Sequence, residues 1–286
     1  MPSNHTNLSP ISFKRSVLFM PATNERALEK SKTLNADCLI FDLEDSILEA
    51  SRDSAHKNLK HLFKEHRFEN AQTIIRTSAL NSAGFEADLE LANECSPNAI
   101  LPPKVSTPQD ISLVANQTKL KIWAMIETPL AIMNLKEICQ ATNTLECLVV
   151  GPNDLAKETK SLNTRSIQYP WMMSIIAAAR AYNLSVLDGV FNNFKDQEAF
   201  ATDCQQAKEM GFDGKTLIHP NQIDLANQHF GPSEQEVEKA KLIISTFAKE
   251  ENQNKGAIQI EGEMIERLHL EEAELLISIS HKLEQK

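Results

Sequence analysis

Residues 122–129 read IWAMIETP, a short run of large apolar residues that ends on a glutamate and a Thr-Pro pair. The apolar run predicts a buried strand, and Thr-Pro is typical of the first turn of a helix. A carboxylate at the end of a buried strand is costly unless it has a partner, so Glu127 is a candidate functional residue. Residues 147–154 (CLVVGPND) repeat this design and end on a second acid, Asp154.

The rest of the chain repeats the pattern of a short apolar strand followed by a helix. Eight strands are predicted, at 15–20, 38–43, 72–76, 98–101, 122–126, 147–150, 185–191 and 214–218. Such alternation predicts a parallel sheet, and eight units in roughly 220 residues fit a (β/α)8 TIM barrel. The alternative is an open doubly wound sheet. It would favour a Gly-rich turn after the first strand, which residues 20–23 (MPAT) do not provide.

The chain is predicted to have three segments. Residues 1–14 form a polar arm, residues 15–232 form the barrel, and residues 233–286 form a C-terminal helical extension. The extension is predicted to contain a long helix, a Gly-containing link at residues 255–257 and a final helix. Because a barrel does not need this extension, one role for it is a lid over the active site of a neighbouring subunit.

Composition narrows the class of protein. The 286 residues are 42% hydrophobic and 24% charged, which is typical of a soluble chain, and the net charge of −10 argues against nucleic acid as the main partner. Five cysteines without CxxC spacing indicate reduced thiols rather than disulfides or a zinc site. Neither a signal peptide nor a membrane-spanning run is recognised. We therefore expect a cytoplasmic protein that binds neither nucleic acid nor membrane.

A barrel brings the residues at the carboxyl ends of its strands to one mouth. Glu127 and Asp154 follow consecutive strands, so we expect them side by side. Two carboxylates, completed by water and substrate oxygens, suit a Mg2+ ion. The alternative is that both acids only stabilise the amino ends of helices. The other polar residues expected at the mouth are Asp42, Glu44, Asp45, Arg76, Lys104, Asp188 and His219.

Three acids at 42–45 (DLED) and an arginine that ends the next strand form a second group. The acids either hold a metal-bound water, orient Arg76 or cap a helix, and Asp45 is a catalytic candidate among them. Arg76 needs an anion, which is one of these acids or a substrate oxyanion.

A third group lies at the first strand–helix junction. Arg26 and Lys30 share a helix face and suit a phosphate group, with Phe19 packed on a flat ring, although spacing alone favours a solvated face. His219 is a possible base or a structural hydrogen-bonding residue.

Five motifs together resemble the HpcH/HpaI aldolase superfamily, in particular its citrate lyase β-subunit-like branch of malyl-CoA and citramalyl-CoA lyases. They are RSVLFMP (15–21), DLEDS (42–46), IET (126–128), NDL (153–155) and GFDGKTLIHP (211–220). The resemblance extends from about Arg15 to the C-terminus. It implies a TIM barrel that uses Mg2+ to cleave or form a carbon–carbon bond next to a CoA thioester, in a homotrimer or homohexamer.

The resemblance also implies residue roles. Glu127 and Asp154 match the metal ligands, and Arg76 matches the substrate arginine. Positions that touch CoA or line the ligand match Phe19, Arg26, Lys30, His219 and Pro220. Many lyases of this family donate a tail aspartate to a neighbouring subunit's site as an acid/base. Here the tail reads GEMIER (262–267), and Glu266 stands at that position.

We therefore expect a Mg2+-dependent lyase that cleaves a 3-hydroxyacyl-CoA, such as malyl-CoA or citramalyl-CoA, to acetyl-CoA and a 2-oxo acid. The Glu-Arg-Leu-His tail at 266–269 also resembles malyl-CoA thioesterases. A (3S)-malyl-CoA thioesterase is thus one alternative, and a citrate lyase β subunit acting within a complex is another.

Overall fold

The computed structural model describes residues 13–45 and 47–284. Most of the predicted N-terminal arm, and Ser46 of the DLEDS motif, lie outside the described residues. The chain has two compact units. The first, Lys14–Asn227, contains the barrel, and the second begins at Gln228.

Eight parallel strands in the first unit form a closed barrel in sequence order. The predicted (β/α)8 TIM barrel is confirmed, and the open-sheet alternative is wrong because β8 pairs with β1 and leaves no edge. The strands are β1 Ser16–Pro21, β2 Cys38–Asp42, β3 Gln72–Arg76, β4 Ala99–Leu101, β5 Lys121–Ile126, β6 Leu145–Val150, β7 Ser185–Asp188 and β8 Gly214–Leu217.

Helices follow the strands, and several begin with the cap that the sequence suggests. Thr128 caps α5 with its side chain, and Pro129 occupies the first helical position. The helices are α1 Glu25–Ser31, α2 Arg52–Glu65, α3 Phe85–Cys95, α4 Pro108–Ala115, α5 Pro129–Met133, α6 Leu135–Gln140, α7 Pro152–Thr159, α8 Arg165–Ala181, α9 Gln197–Met210 and α10 Ile223–Phe230. Short 3-10 helices lie at Glu49–Ser51 and Pro220–Gln222.

The barrel interior is apolar and the strands are buried on both faces. Ile40, Ile74, Trp123 and other strand residues form one buried cluster. The next residue on β2, Phe41, points the other way and packs its ring 5.4 Å from that of Phe63 on α2. Successive strand residues face opposite sides, so covering both sides produces the near-continuous apolar runs seen in the sequence.

Two local predictions are wrong. The loop predicted at 157–168 is shorter, because α7 continues to Thr159 and α8 begins at Arg165. Pro170, predicted as the first residue of the next helix, lies inside α8. Pro170 is the sixth residue of α8, beyond the first turn, so its missing N–H removes one hydrogen bond from the helix.

The second unit contains a β-hairpin where the sequence predicted only a link between two helices. α11 (Glu234–Phe247) and α12 (Arg267–Glu284) are joined through a hairpin of β9 (Ala257–Ile260) and β10 (Glu263–Glu266). The two turn residues, Glu261 and Gly262, have φ values of 52° and 89°. Positive φ at both central positions is typical of the tight turns that join antiparallel strands. In the described ranges, no helix of either unit combines the length and apolar character that crossing a membrane requires.

A buried ion cluster holds α2 and α3 against the end of β3. Asp88 is fully buried, and its carboxylate accepts hydrogen bonds from the Ser78 backbone N–H, the Ser78 hydroxyl and the Arg52 guanidinium. His56 Nε2 lies 2.7 Å from the same carboxylate. Burial acts to raise the pKa of Asp88, but the His56 and Ser78 hydrogen bonds and the Arg52 charge outweigh it, so the pKa lies below its usual value.

Asp88→Ala is expected to lower the free energy of unfolding by about 3 kcal/mol at neutral pH, because it leaves Arg52 and Ser78 without their buried partner. Urea denaturation measures the difference. Asp53→Ala, at an exposed acid in the first turn of α2, is the control and should cost less than about 1 kcal/mol.

The difference between wild type and Asp88→Ala should also depend on pH. Because the folded-state pKa of Asp88 is lowered, its contribution is present above the unfolded-state pKa and is lost as the pH falls through the folded-state pKa. Denaturation curves repeated in acid should therefore converge. A difference that persists undiminished in strong acid would contradict this account of the cluster.

Candidate active site

A cavity of about 340 Å3 opens at the carboxyl ends of the barrel strands. Acidic and basic side chains from several strand ends line it, as the barrel geometry requires. The predicted site residues in its lining are Phe19, Asp45, Arg76, Glu127 and Asp154, and Asp42 joins them. The structure therefore brings together the residues expected to hold the metal and the arginine expected to face the substrate.

Glu127 follows β5, and Asp154 lies in the first turn of α7, just after β6. These strands are neighbours, and Ile126 pairs with Val150 at their ends. The Glu127 carboxylate is only 2% exposed, and its Oε1 accepts the Lys104 backbone N–H at 2.8 Å. Burial raises the pKa of Glu127 to about 8. The charges of Glu44 and Asp154 act in the same direction, whereas the Lys104 backbone hydrogen bond and the Arg76 charge act against it. A cation bound beside this carboxylate would oppose the shift.

Gly151 allows Glu127 and the turn of Asp154 to approach each other. A Cβ on Gly151 would lie 2.1 Å from Oε2 of Glu127, a distance that no side chain can occupy. The strand end and the turn are therefore packed directly against each other. Lys104, which supplies the N–H, has a φ of 53°, a left-handed conformation that is unfavourable for a residue with a side chain.

Arg76 is buried among the three acids at 42–45. Its Nε and Nη2 donate to the two oxygens of Asp42 at 2.6 and 2.8 Å, and Nη1 lies 3.0 Å from Glu44 and 3.4 Å from Asp45. The guanidinium also stacks over the Phe19 ring, 4.7 Å from its centroid. Despite its burial, the carboxylates raise the pKa of Arg76 above its usual value. Of the alternatives left open by the sequence, the orientation of Arg76 by these acids is observed, and a metal-bound water held by them stays a prediction.

Negative charge exceeds positive charge around the cavity. Five carboxylates, those of Asp42, Glu44, Asp45, Glu127 and Asp154, face two cations, Arg76 and Lys104. No group of three or more His, Cys, Asp or Glu side chains arranged to hold a metal occurs among the described residues. A pair of carboxylates in a cavity with excess negative charge nevertheless fits Mg2+. This hard ion keeps several waters and takes only one or two protein carboxylates.

The other predicted site residues lie outside the cavity lining. Arg26 and Lys30 are exposed on α1, and Arg26 lines a separate surface groove. His219 follows β8, stacks on the Phe194 ring at 4.6 Å and caps the 3-10 helix that begins at Pro220. Glu266 is exposed on β10 of the second unit.

Asp188, expected at the mouth, is instead buried in an ion network. Its carboxylate lies 2.6 Å from Lys215 Nζ on β8 and 2.7 Å from Arg165 on α8. Asp203 pairs with the same two cations at 2.6 Å each. Burial disfavours the charge of Asp188, but Lys215 and Arg165 lower its pKa. The four charges balance within the chain, and the same four side chains line a second cavity of about 310 Å3. The sequence signal for this network is Lys215 in the apolar strand GKTLI (214–218), because a buried lysine requires anionic partners.

Sequence reasoning also missed a group of amide side chains beside Asp154. Asn153 and Asn192 line the cavity and hydrogen-bond to each other. Asn163 donates to the same Asn153 oxygen at 2.7 Å. Asn153 is part of the NDL motif (153–155) that carries the family resemblance. Nothing in the sequence spacing of Asn153, Asn163 and Asn192 indicates that their side chains meet.

Fold and site together define a TIM-barrel protein with an acidic, arginine-containing cavity at the carboxyl ends of its strands. The sequence profile of the HpcH/HpaI aldolase/citrate lyase family matches residues 15–220, which include all eight strands. The chain belongs to this family.

Individual relatives span nearly the whole chain. A (3S)-malyl-CoA thioesterase of Cereibacter sphaeroides is 40% identical over 259 residues, 90% of each chain. The mitochondrial citramalyl-CoA lyase of Rattus norvegicus is 26% identical and covers 96% of this chain and 88% of its own. A crystal structure of CitE from Mycobacterium tuberculosis in complex with magnesium and acetoacetate is 25% identical, with a TM-score of 0.68 over 76% of this chain and 90% of that one.

Gly151→Ala is expected to lower the free energy of unfolding by about 1–3 kcal/mol, because the added methyl group must displace Glu127. Chemical denaturation measures the loss. Gly256→Ala is the matched control: a Cβ there has no atom within 4 Å, so the change should stay within about 1 kcal/mol. Equal stability of the two variants would contradict the close packing of Gly151 on Glu127.

Proposed function

We propose that this protein is a Mg2+-dependent lyase that cleaves a 3-hydroxyacyl-CoA of the malyl-CoA or citramalyl-CoA type to acetyl-CoA and a 2-oxo acid. The observation that carries the proposal is a single cavity lined by Glu127, Asp154 and Arg76. Membership of the family and the citramalyl-CoA lyase among the relatives support the reaction type. The magnesium in the related CitE structure supports the choice of ion.

Glu127 and Asp154 would hold the metal ion through carboxylate oxygens. When bound, Mg2+ supplies a positive charge that stabilises negative charge on the substrate's oxygens. The Lys104 backbone N–H fixes Oε1 of Glu127, so this carboxylate does not have to reorganise when the substrate arrives.

Arg76 acts on the CoA-bearing product in this proposal. The bond that breaks joins the hydroxyl-bearing carbon to the carbon beside the thioester. Glu266 of a neighbouring subunit accepts the hydroxyl proton in this proposal, so that the hydroxyl becomes the oxo group, while the electron pair of the broken bond passes to the acetyl-CoA fragment as an enolate. The Arg76 guanidinium, fixed by two bonds to Asp42, is suited to neutralise the enolate oxygen. The enolate carbon then takes up the proton that Glu266 of the neighbouring subunit accepted, so the same carboxyl group serves as base and as acid.

CoA would lie at the β1–α1 junction. Phe19 already lines the cavity, and Arg26 and Lys30 follow on the exposed side of α1. Exposed cations of this kind suit phosphate groups. His219 and Pro220 follow β8, which pairs directly with β1, so these residues belong to adjacent strand ends.

Glu127→Gln is expected to lower kcat/KM for malyl-CoA cleavage by at least about a hundredfold and to abolish stimulation by Mg2+, because the amide keeps the shape of the side chain but removes its charge. Acetyl-CoA release by EDTA-treated protein, titrated with Mg2+, measures both effects. Glu137→Gln, at an exposed glutamate of α6, is the control and should behave as wild type. Surviving Mg2+-dependent cleavage in Glu127→Gln would refute the proposed site.

The second candidate function is a (3S)-malyl-CoA thioesterase, and the 40% identical relative of that name favours it. The same cavity would serve, because a carboxylate-bearing CoA ester must be bound in either case. The difference is the bond that breaks, which is the thioester C–S bond in hydrolysis.

Product analysis separates the two functions. With (3S)-malyl-CoA, the purified chain is expected to form glyoxylate and acetyl-CoA, and Glu266→Gln should slow this cleavage if Glu266 transfers the proton. Malate and free CoA in their place would assign the thioesterase activity instead. Turnover of either kind by the purified chain alone would exclude a subunit that acts only within a larger complex.

A further inference from the structure

The turn that carries Asp154, residues 151–154, is held on three sides within the barrel unit. From β5, Glu127 lies against Gly151. From the end of β7, Gly189 lies against Pro152, since a Cβ on Gly189 would come 2.2 Å from Pro152 Cδ. The third contact is polar: Nε2 of Gln168, on α8, donates to the Pro152 carbonyl oxygen at 2.9 Å.

Gln168 also begins a chain of amide hydrogen bonds that leads to the cavity. Its Nε2 donates to Asn163 Oδ1 at 3.0 Å, and Asn163 Nδ2 donates to Asn153 Oδ1 at 2.7 Å. Asn192 donates to the same Asn153 oxygen at 2.9 Å. The buried Gln168 is thus connected both to the backbone two residues before Asp154 and to the side chain one residue before it.

The stability of the fold does not by itself explain a glutamine at this position. Gln168 is fully buried, and its Oε1 has no hydrogen-bond partner in the part of the chain that the structure describes. A buried acceptor without a partner destabilises the folded state, and a leucine of similar size would avoid that cost. A requirement for the directed Nε2 donor accounts for the residue.

We propose that Gln168 is a positioning residue for Asp154: by fixing the Pro152 carbonyl and the Asn163–Asn153 amides, it sets the direction of the Asp154 carboxylate. The inference rests on the proposed function, in which Asp154 is a metal ligand. Groups that orient a ligand from outside the coordination sphere commonly change metal affinity by about tenfold or more.

Gln168→Leu is therefore expected to weaken Mn2+ binding by about tenfold, measured on the purified full chain by electron paramagnetic resonance of free Mn2+ without substrate. The thermal midpoint of the metal-free protein should fall only slightly, because the variant also removes the unpaired Oε1. Gln140→Leu is the matched control: this exposed glutamine donates to the Tyr182 hydroxyl at 2.8 Å on the surface, and Mn2+ affinity should not change.

Wild-type Mn2+ affinity in Gln168→Leu would overturn the inference. If that variant does not fold, Asn163→Ala decides. Asn163 is exposed, so the variant should fold, and Mn2+ binding should weaken by a smaller factor than in Gln168→Leu. Unchanged affinity in Asn163→Ala would then overturn the inference.

Asp154→Asn distinguishes this inference from the proposed function. If Asp154→Asn binds Mn2+ as wild type does, the metal site of the proposed function fails. If Asp154→Asn loses Mn2+ binding while Gln168→Leu retains it, only the positioning role of Gln168 fails.

Discussion

The burial of the Glu127 carboxylate is the constraint on which the rest of the cavity depends. A side chain that is 2% exposed, with a pKa of about 8, is held where water solvates it poorly. The chain accepts two further local costs to keep it there. Lys104 adopts a left-handed backbone conformation to present its N–H, and position 151 has room only for glycine. Unfavourable features that converge on one carboxylate are typical of a functional site rather than of a stabilising contact.

Two charge clusters in the barrel differ in their balance of positive and negative charge. Around Asp188, the cations Lys215 and Arg165 meet the anions Asp188 and Asp203, and all four charges are compensated within the chain. Around Glu127, five carboxylates meet two cations among the described residues, so full ionisation of these acids leaves negative charge that a bound cation would compensate. The two clusters therefore differ in charge balance: the described residues compensate the charges around Asp188 but not all of those around Glu127.

The alternation of strands and helices made the barrel predictable from the sequence, since eight parallel strands with helical connections have few other arrangements. The same logic placed Glu127, Asp154 and Arg76 together, because residues that end parallel strands share one mouth. The sequence placed Asp188 at a strand end but not in its ion network, because its partner Arg165 comes from a helix whose start was predicted five residues too late. It also gave no sign of the β9–β10 hairpin, where strands of four residues are too short to show a periodic pattern.

The proposed lyase and the alternative thioesterase would use the same binding site. They differ in whether a proton-transfer group or a water molecule acts on the bound CoA ester. In either proposal a cation held by Glu127 and Asp154 would bind the carboxylate of the acyl group, and negative charge would develop near Arg76. Cleavage of the carbon–carbon bond requires a base for the hydroxyl proton and a proton for the enolate carbon. Hydrolysis requires a water molecule at the thioester carbonyl. The metal ligands proposed at the ends of β5 and β6 would serve either reaction, so the choice between the reactions must come from groups that move protons or admit water. The proposed lyase assigns the proton transfer to Glu266, which is one methylene longer than the aspartate that the resemblance leads one to expect.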